Sequence, residues 1–264
     1  MSQGVKRMFL ISSSKVHGCK PLEFIKPQLV EALEGKPYLL FIPFARAGGL
    51  THDQYTDKVR GFLQDLDINI TVKGIHEFDD MKQALKEAKI LFTGGGNTFL
   101  LLNQLYKYDL IQTIQDVVNS GSCFYMGASA GSNITGISVQ NTNDMPIIHP
   151  PSFESLNLVN FNINPHYIDA DPNSKHKGET REDRINEFHV LNSIPVFGIR
   201  EGAWLEVVGD KITLRGEYKG RLFQQGKEPQ EIETGSDVSF INKIVENVTV
   251  SAKLANAQKH MIQN

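Results

Sequence analysis

The stretch Ser122-Cys-Phe-Tyr-Met-Gly-Ala-Ser-Ala-Gly-Ser-Asn133 decides how the rest of the chain is read. Cys123 to Met126 form a short apolar strand, Gly127 breaks it, Ser129 sits on a sharp turn, and a helix is expected after Gly131. Gly127, Ser129 and Gly131 fit G-x-S-x-G, a strand-to-helix elbow that lifts a serine hydroxyl clear of a sheet. The turn crowds the backbone, so Gly127, Ala128, Ala130 and Gly131 leave room that larger side chains would fill. A helix there would present unpaired N–H groups and a positive dipole end to negative charge forming near Ser129.

Working outward, apolar strands alternate with amphipathic helices. Met8 to Ser12, Tyr38 to Pro43 and Ile90 to Thr93 are short continuous apolar runs, the kind that a parallel sheet buries on both faces. Ile68 to Ile75 alternates like a strand. Leu22, Ile25, Leu29 and Leu33 recur at helical spacing, with the regular helix predicted to begin at Pro27. Asp53 to Leu66 and Asp79 to Ala88 are further helices. One long helix is expected from the cap at Asn97 to Asn119. The pattern predicts an α/β fold, a mainly parallel sheet with helices on both faces. Ligands in such sheets sit at the carboxyl ends of the strands, where Gly94 to Gly96 and Ser129 both fall.

The later chain is richer in strands. Asn160 to Asn164, Val196 to Arg200, Trp204 to Val208 and Lys211 to Arg215 read as strands, the last two as a hairpin around Gly209 and Asp210. Glu179 to Leu191 reads as a helix with Thr180 as its cap. No repeat or linker interrupts residues 1–245, which are read as one α/β domain. Residues 246–264 form a polar, weakly helical tail that is left either to dock on the fold or to mediate self-association.

Composition narrows the partners. The 264 residues carry a formal net charge of −3 and are 40% hydrophobic, enough for a large core and without the basic footprint of a nucleic-acid or anionic-membrane binder. No apolar stretch approaches a membrane span of about 20 residues. Cys19 and Cys123 are the only cysteines, which gives neither a disulfide framework nor a zinc spacing. Both read as reduced thiols of a cytoplasmic protein, so the sequons at Asn133 and Asn247 read as unused. The implied partner is a small metabolite.

A serine needs a base, and the base needs an orienting group. Of eight histidines, His166 in NFNINPHYIDA follows a strand end, where α/β sheets put functional loops. His149 in IIHPP is held in a proline bend. His17, His52, His76, His176, His189 and His260 lie in polar or helical surroundings that suit surface residues. Two acids are candidates for the third role, Glu201 in FGIREGAWL and Asp144 in QNTNDMPI. A buried strand ending in Arg200 and Glu201 is costly unless those charges are paired or used; Asp144 stands among turn formers. The triglycine lacks phosphate-loop spacing. It reads either as a flexible turn or as part of an oxyanion hole, with an N–H of Gly95 or Gly96 beside that of Ala130; one such donor is worth about 10²–10³ in rate.

Taken together, GGGNTFLLLNQLY, GASAGSN, NTNDMPI, INPHYIDA, GETREDRI and GIREGAWL, in this order, resemble peptidase E, the α-aspartyl dipeptidase family of serine peptidases. The resemblance runs from about Met8 to Phe223. It implies a fold similar to class I glutamine amidotransferases and hydrolysis of dipeptides with an N-terminal aspartate, without metal or cofactor. It matches Ser129 to the nucleophile and His166 to the base. Both Glu201 and Asp144 fall at positions where the family's acid has been placed. The implied order of nucleophile, histidine and acid favours Glu201, leaving Asp144 to shape the pocket or hold a substrate amine. Arg181 matches the substrate-binding arginine, whose guanidinium suits a carboxylate. A cyanophycinase-like aspartyl-amide hydrolase and a non-catalytic binding protein on the same fold are the alternatives.

Overall fold

In a computed structural model, the described residues are 4–171, 173, 175 and 178–245. His176, His260, the Asn247 sequon and the tail therefore lie outside the described residues. Eleven strands and seven α-helices are described. In chain order they are β1 (Arg7–Ile11), α1 (Lys26–Leu33), β2 (Leu39–Ile42), α2 (His52–Asp65), β3 (Val72–Gly74), α3 (Met81–Glu87), β4 (Ile90–Thr93), α4 (Thr98–Lys107), α5 (Ile111–Asn119), β5 (Phe124–Ala128), α6 (Ala130–Asn133), β6 (Asn162–Pro165), α7 (Arg181–Leu191), β7 (Val196–Ile199), β8 (Ala203–Val208), β9 (Lys211–Gly216), β10 (Gly220–Phe223) and β11 (Gln230–Ile232).

The strands form two sheets. Seven lie in the order β3-β2-β4-β5-β1-β8-β9, parallel from β3 to β1, with β8 and β9 added antiparallel. β5 is central, and Gly127 pairs with Leu10 on one side and Thr93 on the other. Side chains alternate across a strand, so each buried run feeds two cores. Met8, Leu10, Leu40, Ile42, Leu91 and Tyr125 face one core with the apolar sides of α4 and α5. Phe9, Ile11, Leu39, Phe41, Phe92 and Met126 face the other, covered by α1 and α2. Helices on both faces of a mainly parallel sheet is the architecture that the apolar runs predict.

The second sheet, β11-β10-β7-β6, was not anticipated. Ile163, Phe197 and Ile199 on one of its faces join the first core. Tyr167, Val196 and Phe223 form a small core with Ile185 and Phe188 of α7. β10 and β11 are short and carry Arg221 and Glu231, so no apolar run announces them.

Three local expectations change. The helix from Asn97 to Asn119 is two helices. After Lys107 the chain turns through Asp109 at φ 52°. The N–H of Leu110 donates to Leu105 O at 2.9 Å and that of Asp109 to Tyr106 O at 3.0 Å, the paired bonds of a Schellman ending, with aspartate tolerating the left-handed position. The strand from Ile68 shrinks to Val72–Gly74, and a 3₁₀ turn follows it. The helix of the elbow starts at Ala130 rather than after Gly131 and lasts one turn, too short for a summed macrodipole.

Candidate active site

Ser129 follows the last residue of β5 at φ 56° and ψ −115°. A non-glycine residue held there costs roughly 1–3 kcal/mol and persists only where its surroundings over-determine it. Here the Ser129 N–H donates to Ile11 O at 3.1 Å, and its carbonyl accepts from the N–H groups of Ser132 and Asn133 at 2.9 Å each. Gly131 permits the turn to seat itself, since a Cβ there would lie 2.1 Å from Thr93 O. The Asn133 sequon is buried, with its side-chain amide donating to Ile163 O at 2.9 Å.

The partners of Ser129 come from the other sheet. His166 directly follows β6 and also has a positive φ, 54°. Its N–H donates to Ser12 Oγ at 2.9 Å, and the buried Ser12 hydroxyl donates to Ile199 O at 2.7 Å. One hydroxyl thus ties the end of β1 to the ends of β6 and β7. His166 Nε2 lies 2.8 Å from Ser129 Oγ, and His166 Nδ1 lies 2.5 Å from Glu201 Oε1. A carboxylate only accepts, so the ring proton belongs on Nδ1, leaving Nε2 as acceptor for the serine hydroxyl. His166 and Glu201 are 34% and 47% exposed, which puts this chain of bonds at an open mouth.

Arg200 turns the opposite way from Glu201. Its guanidinium meets both Asp169 oxygens at 2.6 and 2.8 Å and both Glu231 oxygens at 2.9 Å. These bonds hold the Asp169 and Glu231 carboxyls below the usual carboxylate range and raise the Arg200 guanidinium. Arg221 continues the lattice to Glu231 at 2.8 Å and to Glu182, in the first turn of α7, at 2.9 Å. The segment after His166 and the start of α7 are joined through it.

Asp144 does not reach His166. Its Oδ2 accepts the N–H of Thr98 at 2.7 Å, at the start of α4. Ser129, His166, Asp144, Arg181, Thr98 and Asn143 all line one cavity of about 140 Å³, several times the ~30 Å³ share of a single water. Arg181 makes no ion pair among the described residues; Glu182 goes to Arg221 instead. Burial, then the neighbouring Arg184, push the Arg181 guanidinium down, with Asp144 acting the other way. A larger cavity of about 550 Å³ shares Asn143 and Arg181 and extends past Ile168 and Arg184.

Gly95 stacks on the serine, so that a Cβ there would lie 2.9 Å from Ser129 Cβ. No acceptor among the described residues engages the N–H of Gly95, Gly96 or Ala130. Nor, among the described residues, do three His, Cys, Asp or Glu side chains converge as a metal-ligand set. Ser12 carries no motif that would single it out in the sequence, and Thr98 and Asn143 fall within GGGNTFLLLNQLY and NTNDMPI without a role read for either. Three histidines read as surface groups are otherwise placed: His189 is buried, with Nδ1 3.0 Å from Asn192 O, and the half-buried His52 and His76 have their rings 5.3 Å apart.

The model of peptidase family S51 matches residues 8–215, which takes in nearly all of the seven-stranded sheet, β6 and β7 of the second sheet, and every residue of the serine, histidine and glutamate chain. The chain belongs to peptidase family S51. It is therefore a hydrolase of the serine type. Peptidase E of Streptomyces coelicolor is 48% identical over 232 residues, 88% of this chain and 93% of the relative. A Drosophila melanogaster protein named "Probable alpha-aspartyl dipeptidase" is 42% identical over 238 residues, 89% and 97% of the two chains. The crystal structure of a peptidase from an acI-B1 Actinobacterium superposes with a TM-score of 0.64 at 20% identity, covering 89% of this chain and 97% of that one. The S51 fold is class I glutamine amidotransferase-like, as the motifs imply.

Proposed function

We propose that this S51 protein is a serine dipeptidase that hydrolyses Asp-Xaa through an acyl-enzyme. The observation that carries the reading is a serine–histidine–glutamate chain opening into a cavity that holds one carboxylate and one cation, Arg181, with no ion pair among the described residues. Ser129 is the nucleophile, His166 the base and Glu201 its orienter; Asp144 is relieved of that role. Arg181 recognises the aspartyl side chain, and Asp144 recognises the substrate's α-ammonium. A free amino terminus held there leaves no room for a preceding residue.

His166 Nε2 takes the hydroxyl proton as Ser129 Oγ bonds to the aspartyl carbonyl carbon, and the carbonyl electrons move onto oxygen. Backbone N–H groups of Ala130 and of the Gly95–Gly96 loop hold that oxygen. The imidazolium, steadied by Glu201, then protonates the departing amine as the C–N bond breaks. Water, deprotonated by His166, attacks the ester and releases aspartate and Ser129. The larger cavity beside Arg181 takes the leaving amino acid. Because both sheets complete this one site, residues 1–245 act as one hydrolytic domain. Among the described residues no helix is long and apolar enough to cross a membrane. Cys19 and Cys123 are free, and burial pushes the Cys123 thiol up to about 12; we place the protein in the cytoplasm.

The test is release of leucine from Asp-Leu, Asn-Leu, Leu-Asp and Asp-Leu-Leu. Cleavage of Asp-Leu alone supports the dipeptidase. Cleavage of Asp-Leu-Leu as well moves the reading to a broader, cyanophycinase-like aspartyl hydrolase, and cleavage of none leaves a binding protein.

A further inference from the structure

Tyr55 lies on the apolar side of α2 and is 6% exposed. Its ring meets Phe41 edge-on at 5.0 Å, and the Arg46 guanidinium stands 4.8 Å from its centre. Those contacts are what a core ring makes, but the hydroxyl does something further: it donates to Gly95 O at 2.9 Å. In a planar trans peptide the carbonyl and the following N–H point in opposite directions. A bond that draws Gly95 O toward α2 therefore turns the Gly96 N–H away from α2.

Gly95 stands between Tyr55 and the serine. The position of a Cβ on Gly95 lies 2.9 Å from Ser129 Cβ and 3.4 Å from Ser129 Oγ, whereas a Cβ on Gly94 would lie 2.6 Å from the Tyr55 hydroxyl. The neighbouring bonds of the loop are Gly94 N–H to Ile42 O at 3.3 Å and Asn97 N–H to Ala45 O at 2.7 Å, at its two ends. Among the described residues the Gly95–Gly96 peptide itself has one hydrogen bond, the one from Tyr55. Three successive glycines leave a peptide free to rotate, and an oxyanion donor is effective only if its direction is set before the charge forms. Burial raises the Tyr55 hydroxyl above its ordinary value, against the opposing pull of Arg46, and it stays a donor.

We propose that Tyr55 is a positioning residue for the oxyanion hole: through Gly95 O it fixes the Gly95–Gly96 peptide so that the Gly96 N–H meets the developing oxyanion. The inference rests on the acyl-transfer reading given above. Outright loss of such a donor costs about 10²–10³ in rate; loosening it costs less.

The experiment compares wild type, Tyr55→Phe and Ser129→Ala on Asp-Leu. Phenylalanine keeps the ring contacts, and a thermal unfolding midpoint checks that it does. An aminoboronic acid carrying the aspartyl side chain serves as a tetrahedral probe, and free aspartate as a ground-state probe. In Tyr55→Phe, kcat falls about tenfold with KM within twofold, and boronate affinity falls in parallel with kcat/KM while aspartate affinity is unchanged. A kcat within twofold of wild type overturns the role of Tyr55. A joint change in KM and aspartate affinity also overturns it, because that is the signature of a structural residue. Turnover by Ser129→Ala is a separate result, and sinks the acyl-transfer reading itself.

Discussion

The two sheets hold their shares of the site by different means. On the seven-stranded side, Ser129 is held by backbone: its N–H and carbonyl are engaged by β1 and α6, and Gly131 is pressed to within a missing methyl of Thr93 O. On the four-stranded side, His166 and Glu201 are held by side chains, namely the Ser12 hydroxyl and the charged lattice around Arg200. The first side is limited by volume around Gly131 and the second by the polar partners of His166 and Arg200. Substitutions should therefore fail differently on the two sides.

Ser129→Ala makes the largest break, removing the proposed nucleophile without adding volume. Turnover of Asp-Leu is expected to fall about 10⁵–10⁶-fold, with an unchanged circular dichroism spectrum; turnover within tenfold of wild type would remove the serine from the chemistry. Gly131→Ala tests volume alone. The added methyl collides with backbone that cannot yield, and a loss of stability above about 3 kcal/mol is expected by urea unfolding, at the upper end of overpacking costs. A loss under 1 kcal/mol would show that the elbow has slack.

Glu201→Gln and Asp144→Asn sharpen the comparison between the two acids. The first is expected to lower kcat about 10²–10³-fold, less than the ~10⁴ of a fully buried triad acid, because Glu201 is half exposed. Asp144→Asn is expected to raise KM with a smaller effect on kcat. The reverse pattern in steady-state kinetics would exchange their roles. Ser12→Ala leaves the His166 N–H without its acceptor, whereas Ile199 O keeps the Tyr167 N–H at 3.1 Å, and is expected to cost about 1–3 kcal/mol and to lower kcat several-fold; an unchanged kcat would make Ser12 structural only.

The smallest effect concerns pH. Asp169 and Glu231 have folded-state values below their unfolded ones because of Arg200. Their stabilisation is present above the unfolded carboxylate range near pH 4 and is lost as pH falls through the lowered folded values, where the unfolded chain binds more protons. Arg200→Met should flatten the fall in urea midpoint between pH 5 and pH 3. An equally steep fall would place the acid sensitivity elsewhere.

The same contrast explains what was legible in the sequence. MFLI, LLFI, ILFT and CFYM are continuous apolar runs because both faces of their strands are buried, and continuity is visible without a partner. Asn162 and Asn164 in β6 are buried and hydrogen-bonded to neighbouring loops, so polar residues occupy a strand that burial would make apolar. β10 and β11 place Arg221 and Glu231 opposite one another, a pairing with no periodicity along the chain. Ser129 and His166 were legible as strand-end residues. Arg181 came only with the family resemblance, since its lack of an ion pair depends on Glu182 being drawn to Arg221. Tyr55 falls in the Asp53 to Leu66 helix, and nothing along the chain shows it as a donor to a loop 40 residues away.

The hydroxyl of Ser12 also bears on biosynthesis. It joins residues 187 positions apart, and β1 is completed on one side by β5 and on the other by β8. A chain still on the ribosome exposes Ser129 well before Glu201, and at about 5–20 residues per second that gap is of order several seconds. During it the growing chain holds a serine with no oriented base and a first strand with an empty flank. With Glu201 as the proposed orienter, peptide-cleaving chemistry reaches full strength only after about three quarters of the chain has been made, and a fragment ending before Glu201 has no oriented base.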